Sequence, residues 1–312
     1  MKVMVTTNYG PPNVLQVSER EKPISKENEV LVKIHVTTVS VGDVKMRGLL
    51  DLSSGQKLAA RLFLGWSKPK KDVLGMEIAG EVEDIGSEVT KFKVGDRVFA
   101  STFWDGLGGY AQYKCFPENS MIATIPESIS YEQAVPVLGG GLTAAKVLKK
   151  ANIQPGQKIL IYGASGNVGT YAVQIAKHFG AEVTGVCSSR NFELVKDLGA
   201  EFVIDYTKED FTQNSKKYDI IFDAVDKLES SKCKVSLNET GVYLNVSKDS
   251  GSGGKARDHI EYLAFLRDLM ADGKLKSVID RTYTFEKIPQ AHEYVQTGRK
   301  RGNVIIKMLD DE

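Results

Sequence analysis

Cysteine is scarce in this sequence of 312 residues, and long apolar runs are missing from it. The three cysteines, Cys115, Cys187 and Cys233, lie far apart, which is typical of reduced thiols rather than of a disulfide framework. No apolar run approaches the roughly 18 residues that a membrane-spanning helix needs. The first residues resemble a strand and lack the basic stretch, apolar segment and cleavage site of a signal peptide. We therefore expect a soluble, cytoplasmic protein with no membrane partner.

An excess of either charge is also missing. Lys and Arg together number 41, against 40 for Asp and Glu, so the composition lacks the basic footprint of a dedicated nucleic-acid binder. The hydrophobic fraction of 42% and the charged fraction of 26% are those of an ordinary globular protein. The chain is too long for one ordinary core, so we expect two domains and no nucleic-acid partner.

The first third of the chain has the pattern of short strands. Residues 30–36, 78–85 and 97–100 are strand candidates, and glycines separate these runs. Many short strands joined by turns predict a β-rich, partly barrel-like domain.

Strands and helices alternate after about Pro126. The apolar runs lie at Lys158–Tyr162, Glu182–Cys187, Phe202–Tyr206, Asp219–Val225 and Gly241–Val246. Such runs, separated by helices, predict a parallel sheet that is covered on both faces. The predicted fold class is therefore α/β, with a doubly wound parallel sheet beside the β-rich domain. Further helices are expected at Asp258–Met270 and Phe285–Thr297.

A glycine-rich turn follows the first of these strands and leads into a helix with one apolar face. Gly166 would let the backbone approach a pyrophosphate, and Gly169 would let the helix and strand pack closely. The phosphates would lie at the positive end of the helix. The alternative is a glycine-rich turn that binds nothing. The order of strand, turn and helix predicts a Rossmann dinucleotide site formed by Ala164, Ser165, Gly166, Asn167, Val168 and Gly169.

The end of the second strand indicates which nicotinamide cofactor is bound. An NAD site usually has Asp or Glu there, accepting from the ribose 2′-OH, but this chain has Ser188, Ser189 and Arg190. Hydroxyl and guanidinium groups suit a 2′-phosphate, which a carboxylate would repel. The alternative is that the two serines only cap the next helix. We predict NADPH.

Seven motifs resemble those of the medium-chain dehydrogenase/reductase superfamily. In chain order they are Gly75–Gly80, Gly86–Val98, Gly109–Tyr113, Gly140–Ala145, Gly163–Gly169, Leu198–Tyr206 and Arg301–Ile306. The third, fourth and fifth are similar to motifs of the quinone oxidoreductases. The resemblance implies a GroES-like catalytic domain built from residues 1–124 and 273–312, around a Rossmann domain at residues 125–272.

The resemblance also implies roles for individual cofactor-binding residues. Tyr206 and Arg190 would contact the adenosine phosphate, and Thr143 would lie near the nicotinamide. Four further residues would line the cofactor from the ends of later strands: Asp223, Ala224, Val225 and Asn245. Such placement agrees with the general rule that ligands lie at the carboxyl ends of parallel strands.

Zinc ligands are missing at the positions where the resemblance would place them. Zinc alcohol dehydrogenases of the superfamily carry a Cys and a His there, whereas this chain has Ser40 and Met76. A hydroxyl and a thioether make a poor zinc site. The four clustered cysteines of the structural-zinc loop are also absent from the sequence, and the four histidines are scattered. We predict no metal.

Chemistry without a metal favours an activated acceptor, because no Lewis acid polarises an alcohol or a simple carbonyl. A quinone or an α,β-unsaturated carbonyl spreads the arriving negative charge through its own conjugation. We therefore predict an enzyme that transfers hydride from NADPH to such a small molecule.

The candidates for catalysis lie mainly on a segment similar to the family's Asn-Pro-x-Asp-x-Lys run, with Ser in place of Asn and Gly in place of Pro. Ser40 and Lys45 would stabilise the oxyanion, although Lys45 also fits a solvated surface lysine. Asp43 would orient Lys45 or cap a turn. Tyr110 would donate a hydrogen bond to the substrate or pack a domain interface.

Other roles stay open. Proteins of this superfamily also occur as crystallins or adaptors that bind NADPH with little turnover, and a third hypothesis is RNA binding, which the neutral composition disfavours. Consumption of NADPH with a panel of acceptors would separate these functions. Residues 48–71 combine Leu, Phe and Trp with several basic residues, which fits a lid over an apolar substrate or an exposed loop.

A strand that relatives usually have after Val246 is missing from the pattern. Residues 247–255 lead instead through a Ser- and Gly-rich stretch with the composition of a linker. It fits a native loop, an engineered replacement or a stretch that has lost residues. Relatives pair this sixth strand across a two-fold axis, so its loss favours a monomer.

Overall fold

The computed structural model describes residues 1–50, 53–66, 68–250 and 259–308. These residues form two compact units. The first unit consists of residues 1–138, 259–260 and 279–308, and the second of residues 139–250 and 261–278. Compact units and functional domains need not coincide, so the domain limits expected from the sequence remain a proposal.

The first unit is β-rich, as its sequence pattern predicts. Strands β1 (Lys2–Thr6) and β2 (Leu15–Glu19) form an antiparallel pair. A seven-stranded sheet contains β3 (Glu29–Thr38), β4 (Glu77–Ile85), β5 (Arg97–Ser101), β6 (Tyr113–Pro117), β7 (Ile122–Thr124), β13 (Ile279–Thr284) and β14 (Asn303–Lys307). The strand order is β13-β14-β3-β4-β5-β7, and β6 also pairs with β3. Strands β13 and β14 are parallel, and the other pairs are antiparallel.

Strand β3 is central to this sheet because it pairs with three other strands. Its side chains Val30, Val32 and Ile34 are fully buried in the core of the unit. Opposite them, a Cβ atom at Gly80 would lie 2.0 Å from the carbonyl oxygen of Lys33, so only glycine fits that approach. The strands predicted at 30–36, 78–85 and 97–100 are confirmed.

The second unit contains a five-stranded parallel sheet, which confirms the predicted Rossmann-like layer. Its strands are β8 (Lys158–Tyr162), β9 (Glu182–Cys187), β10 (Phe202–Asp205), β11 (Tyr218–Asp223) and β12 (Leu237–Asn245). The order is β10-β9-β8-β11-β12, so the chain winds outwards in both directions from β8. In such sheets the ligand crevice lies at the carboxyl ends of the two strands where the order reverses, here β8 and β11.

Ten helices connect these strands in the described part of the chain. They are α1 (Val41–Gly48), α2 (Ser54–Leu64), α3 (Tyr131–Ala134), α4 (Gly140–Ala151), α5 (Asn167–His178), α6 (Phe192–Asp197), α7 (Ser230–Cys233), α8 (Val246–Asp249), α9 (Ile260–Ala271) and α10 (Ile288–Gln296). None of these helices has the length and apolar character required to span a bilayer.

Two predicted helices need correction. The helix expected from Asp258 is α9, and Asp258 itself lies outside the described residues. The helix expected from Phe285 begins at Ile288 instead, after a 3₁₀ turn at Phe285–Lys287. Pro289 explains this start, because proline lacks an N–H and is best accommodated in the first turn of a helix.

The loop expected from residue 247 begins as a helix. The side-chain oxygen of Asn245 accepts hydrogen bonds from the backbone N–H groups of Ser247 and Lys248, and this cap starts α8. The loop expected at residues 247–255 therefore begins with a helical turn, whereas the stretch with linker composition, residues 250–254, lies outside the described residues from residue 251. Within the described part of the second unit the sheet has five strands and no sixth.

Candidate functional site

The glycine-rich turn between β8 and α5 forms a close-fitting backbone cradle. Gly163 has a φ of +80°, and a Cβ atom there would lie 2.5 Å from a methyl carbon of Val225, at the end of β11. A Cβ atom at Gly169 would lie 2.1 Å from the carbonyl oxygen of Gly163, so the helix and turn approach too closely for any other residue. At Gly166 the nearest obstacle is 3.2 Å away. The turn therefore holds its backbone at the crevice where the sheet order reverses, as predicted.

Helix α5 begins at this turn, with Gly166 as its N-cap. The side-chain oxygen of Asn167 is buried and has no hydrogen-bond partner among the described residues. Such an unsatisfied acceptor costs about 1–3 kcal/mol unless a donor binds to it. The first-turn amides and the helix dipole favour an anionic group. The cradle and the first turn of α5 therefore fit a dinucleotide with a pyrophosphate at the start of the helix, whereas the Asn167 oxygen would need a donor and cannot bind phosphate.

The predicted serine residues are brought together by Asn191, which the sequence reasoning missed. The Asn191 side-chain amide donates to Ser165 Oγ at 3.0 Å and to Ser188 Oγ at 3.2 Å. Its own side-chain oxygen is buried without a partner among the described residues. Ser189 and Arg190 are exposed beside this cluster. The only sequence signal for Asn191 was its position directly after Arg190.

A carboxylate also lies near these serines. Asp205, the last residue of β10, accepts hydrogen bonds from the backbone N–H of Ser189 at 3.2 Å and from the hydroxyl of Thr207 at 2.7 Å. Hydrogen bonds from Thr207 and Ser189 lower the pKa of the Asp205 carboxyl. Because its oxygens are engaged in this way, Asp205 fixes the end of β10 against the turn that follows β9. The signal in the sequence was an apolar run ending in Asp.

A cavity of about 460 Å³ lies beside the ends of β8, β9 and β10. Tyr162, Tyr206 and Phe211 provide aromatic rings in its wall, and the rings of the two tyrosines are 6.2 Å apart. The wall also contains three lysines and three acids, and two of the lysines, Lys208 and Lys232, form ion pairs with acids. Aromatic faces suit a nucleobase, so the cavity fits the adenine end of a dinucleotide.

The predicted catalytic residues lie in the first unit, around the start of α1. Ser40 is the N-cap of this helix and forms a capping box with Asp43. The Ser40 hydroxyl donates to Asp43 Oδ2 at 2.6 Å, and the backbone N–H of Gly75 donates to Asp43 Oδ1 at 3.2 Å. Burial raises the pKa of the Asp43 carboxyl to about 6, and hydrogen bonds from Ser40 and Gly75 oppose this shift. Asp43 therefore caps α1 and joins it to the segment before β4.

A second buried carboxyl group lies close to the first. Glu77 is almost fully buried, and the Thr38 hydroxyl donates to Glu77 Oε2 at 2.7 Å. Burial raises the pKa of Glu77 to about 8, and the nearby charge of Asp43 acts in the same direction. Burial therefore favours the protonated form of the Glu77 carboxyl, and the charge of Lys300 opposes this shift. Sequence reasoning quoted Glu77 only as part of a motif and gave it no role.

The two positions at which the family resemblance would place zinc ligands are adjacent in space. Ser40 Oγ lies 4.0 Å from Met76 Sδ. A hydroxyl and a thioether are poor ligands for zinc, which prefers thiolate, imidazole and carboxylate groups. The described residues also contain no group of three or more His, Cys, Asp or Glu side chains that could hold a metal ion. This donor set does not fit zinc.

Comparison with known proteins places the whole chain in one superfamily. Residues 26–127 match the alcohol dehydrogenase GroES-like domain, and residues 198–306 match a domain family described as zinc-binding dehydrogenase. The chain is 32% identical to the 2-methylene-furan-3-one reductase of Solanum lycopersicum, over 98% of this chain and 79% of the relative. It is 30% identical to the chloroplastic NADPH-dependent alkenal/one oxidoreductase of Arabidopsis thaliana, with the same coverage. The solved quinone oxidoreductase of Coxiella burnetii has a TM-score of 0.85 and 30% identity, over 99% of both chains.

The chain belongs to the quinone oxidoreductase-like branch of the medium-chain dehydrogenase/reductase superfamily. The resemblance predicted from seven motifs is therefore confirmed. One matched domain family has zinc in its description, but that match covers residues 198–306 and includes neither Ser40 nor Met76.

Tyr110 is removed from the catalytic set by its position. The side chain is fully buried in the core of the first unit, and its hydroxyl lies 3.0 Å from Nε2 of His292. Burial raises the pKa of Tyr110 and lowers the pKa of His292 to about 3. A hydroxyl in this place has no path to a substrate. The sequence gave no sign of the pair, because 182 positions separate the two residues.

Asp223 and Asn245 are assigned to positioning rather than to contact with the cofactor. Asp223 is fully buried and accepts hydrogen bonds from the backbone N–H groups of Lys227 and Leu228 at 2.8 and 2.7 Å. Asn245 donates to Asp226 Oδ1 at 2.7 Å while it caps α8. Both side chains thus shape the loops at the carboxyl ends of β11 and β12.

The remaining candidates are more accessible. Val225 lies at the turn after β11 with 37% of its surface exposed, whereas Ala224 before it is buried. Thr143 is half-buried in the first turn of α4, in the same unit as the glycine cradle. Lys45 is exposed on α1. These positions leave Val225, Thr143 and Lys45 available to small molecules.

Proposed function

We propose that this protein is a zinc-independent, NADPH-dependent reductase that transfers hydride to a quinone or an α,β-unsaturated carbonyl. The observation that carries the proposal is the glycine cradle at the end of β8, at the start of α5. Two relatives support the substrate class, since one is named as an alkenal/one oxidoreductase and the other as a quinone oxidoreductase.

NADPH is the proposed cofactor because the end of β9 lacks an acidic residue. Ser188, Ser189 and Arg190 would bind the 2′-phosphate there, and Tyr206 would contact the adenosine. The backbone of the glycine cradle would bind the pyrophosphate, and Thr143 would lie near the nicotinamide. When bound, NADPH would supply the hydride. One relative is itself named as NADPH-dependent.

Charge that develops on the acceptor oxygen needs a donor from the chain. The Ser40 hydroxyl is already bonded to Asp43, so we assign Ser40 to fixing the start of α1. Lys45 projects from the same helix, and its side chain is exposed. We therefore propose that the Lys45 ammonium group stabilises the developing oxyanion. The absence of suitable zinc ligands is consistent with an acceptor that needs no Lewis acid.

An acceptor screen tests this function. The purified protein should consume NADPH, followed by its absorbance, when a naphthoquinone or a linear enone is added. With NADP⁺ it should leave simple primary alcohols untouched. Rapid oxidation of such alcohols would contradict the mechanism, and tight NADPH binding without consumption across a broad acceptor panel would favour a crystallin-like or adaptor role.

We also propose that the protein is cytoplasmic and monomeric. All three cysteines are free, and burial raises the pKa of Cys187 and Cys233 to about 11, which suits inert, reduced thiols. One relative is chloroplastic, so location needs a direct test by cell fractionation. The monomer proposal depends on the five-stranded sheet, whose described part lacks the strand through which relatives pair.

A further inference from the structure

The segment around α2 is strongly basic in a chain whose charges otherwise balance. Residues 53–71 contain no Asp or Glu and five cations, Lys57, Arg61, Lys68, Lys70 and Lys71. The next acidic residue, Asp72, forms an ion pair with Arg20 at 2.5 Å. The positive charge of the segment is therefore not neutralised by acids of its own.

The same segment exposes its large apolar side chains. Leu58 and Leu62 are 52% and 63% exposed, and Trp66, just past the end of α2, is 62% exposed. Leu58 and Leu62 are four residues apart and so lie on one face of the helix. Lys57 and Arg61 form the adjacent row. We call these residues, with Trp66, Lys68, Lys70 and Lys71, the basic apolar face.

The fold holds this face in a defined conformation. Ser53 caps the start of α2 through a capping box with Gln56. At the other end the Tyr9 hydroxyl donates to the carbonyl oxygen of Gly65 at 3.0 Å, and the Arg61 guanidinium lies 5.8 Å from the centre of the Tyr9 ring. Both ends of the helix are thus fixed while Leu58 and Leu62 remain in water. A lid over a small substrate would instead bury such side chains.

A cavity of about 370 Å³ in the first unit lies beside Lys70 and Lys71 at the end of this segment. Tyr9, Met46, Phe103 and Leu107 provide much of its lining, and Lys70 and Lys71 of the basic apolar face belong to it as well. The arrangement places ammonium groups beside an apolar space. It suits a molecule with an anionic head and an apolar tail.

The sequence led us to expect no membrane partner, but from this surface we infer that the basic apolar face docks the protein on an anionic lipid surface. Cations without acidic partners match anionic head groups, and exposed Leu and Trp side chains insert at the boundary between head groups and acyl chains. The charge complementarity favours lipid over a second copy of this chain, because two copies would bring their cations together. The inference concerns binding alone, so it stands or falls independently of the proposed reductase activity.

Flotation with lipid vesicles tests the inference. The whole chain should float with vesicles of equimolar phosphatidylcholine and phosphatidylglycerol at low salt, and it should not float with phosphatidylcholine alone. Binding should weaken steeply as salt is raised, because the screening length falls from about 10 Å at 0.1 M to about 3 Å at 1 M. Emission from Trp66 should shift to shorter wavelength on binding, and a Trp66→Phe variant should lose this shift.

Paired variants separate the charged and apolar contributions. Lys57→Gln with Lys68→Gln should weaken partitioning about fivefold per cation, or roughly 25-fold together. Leu58→Ser with Leu62→Ser should abolish flotation. It should leave thermal unfolding unchanged, because these side chains are in water. The matched controls are Lys93→Gln and Ile24→Ser, which remove an exposed cation and an 86%-exposed apolar side chain elsewhere. Both controls should bind like the original protein.

Three outcomes would overturn the inference. The first is failure to float with phosphatidylglycerol vesicles at low salt. The second is equal binding by the paired variants and the controls. The third is a dimer, seen by light scattering, that Leu58→Ser with Leu62→Ser dissolves and that binds no vesicles, since the face would then be a contact between copies of this chain.

Discussion

The buried histidine of the first unit makes the fold sensitive to acid, and the size of the effect follows from its surroundings. His292 is fully buried with Nε2 facing the Tyr110 hydroxyl, and its Nδ1 has no hydrogen-bond partner in the described structure. Burial and the positive charge of Arg47 lower the pKa of His292 to about 3. In an unfolded chain the pKa of histidine is about 6.5. The folded protein therefore keeps this imidazole neutral where the unfolded chain protonates it.

The sign of the effect follows from proton binding. A depressed folded pKa contributes stability that is complete above the unfolded pKa and is lost as pH falls towards the folded one. Each pKa unit corresponds to about 1.4 kcal/mol, so the gap of about 3.5 gives about 4–5 kcal/mol over the whole range. Between about pH 7.5 and about pH 4.5 the loss should be about 3 kcal/mol.

Urea unfolding of the original protein and of His292→Gln measures this contribution. As the pH falls from about 7.5 to about 4.5, the free energy of unfolding of His292→Gln minus that of the original protein should increase by about 3 kcal/mol. The raised pKa values of Asp43 and Glu77 act in the opposite direction, but they are common to both proteins and cancel in the difference. Circular dichroism and tryptophan fluorescence should give the same result.

Tyr110→Phe is the control for this experiment. It leaves His292 Nε2 without its partner and should cost about 1–3 kcal/mol at both pH values. A difference between the original protein and His292→Gln that stays constant over this range would refute the reasoning, because it would mean that His292 titrates alike in the folded and unfolded chains.

The remaining predictions concern the proposed function. Arg190→Ala should weaken NADPH binding in titrations by about 1.5 kcal/mol, or roughly tenfold, and should leave NADH binding unchanged. This value is the lower end of the range for a charged contact, because Arg190 is exposed. Lys45→Ala should lower turnover more than NADPH affinity, and an equal loss of both would place Lys45 in cofactor binding. Chelators should leave activity intact and metal analysis should find no stoichiometric zinc, whereas activity lost to EDTA and restored by zinc would contradict the assignment of Ser40 and Met76. Light scattering should report a monomer. A dimer with a continuous sheet across its interface would contradict the inference of a monomer from the missing sixth strand.

The sequence was sufficient for features that depend on local spacing. The motif correctly placed the strand before Gly163, the turn and the helix after it. Its glycines are informative because the backbone approaches itself so closely at Gly169 that no other residue fits. The parallel sheet was likewise predictable, since strands buried on both faces produce continuous apolar runs.

Features that depend on distant parts of the chain could not be predicted. Tyr110 is buried against His292, which no local pattern reveals. The role of Asn191 depends on its hydrogen bonds to Ser165 and Ser188. The raised pKa of Glu77 depends on burial and on the charge of Asp43. Side-chain chemistry identifies candidates, but the packing of the whole unit decides which of them meet a ligand.

The capping box at Ser40 would make a zinc centre difficult to build at this place. A designer who wished to build a zinc centre would begin with Ser40→Cys and Met76→His, since the two side chains already approach to 4.0 Å. A cysteine thiol is a weak hydrogen-bond acceptor, so the change would remove the cap of α1 at a cost of about 1 kcal/mol. It would also leave Asp43 buried without the hydroxyl that it now binds. Residue 40 is part of the architecture, and a metal could be accommodated only if the start of the helix were rebuilt with it.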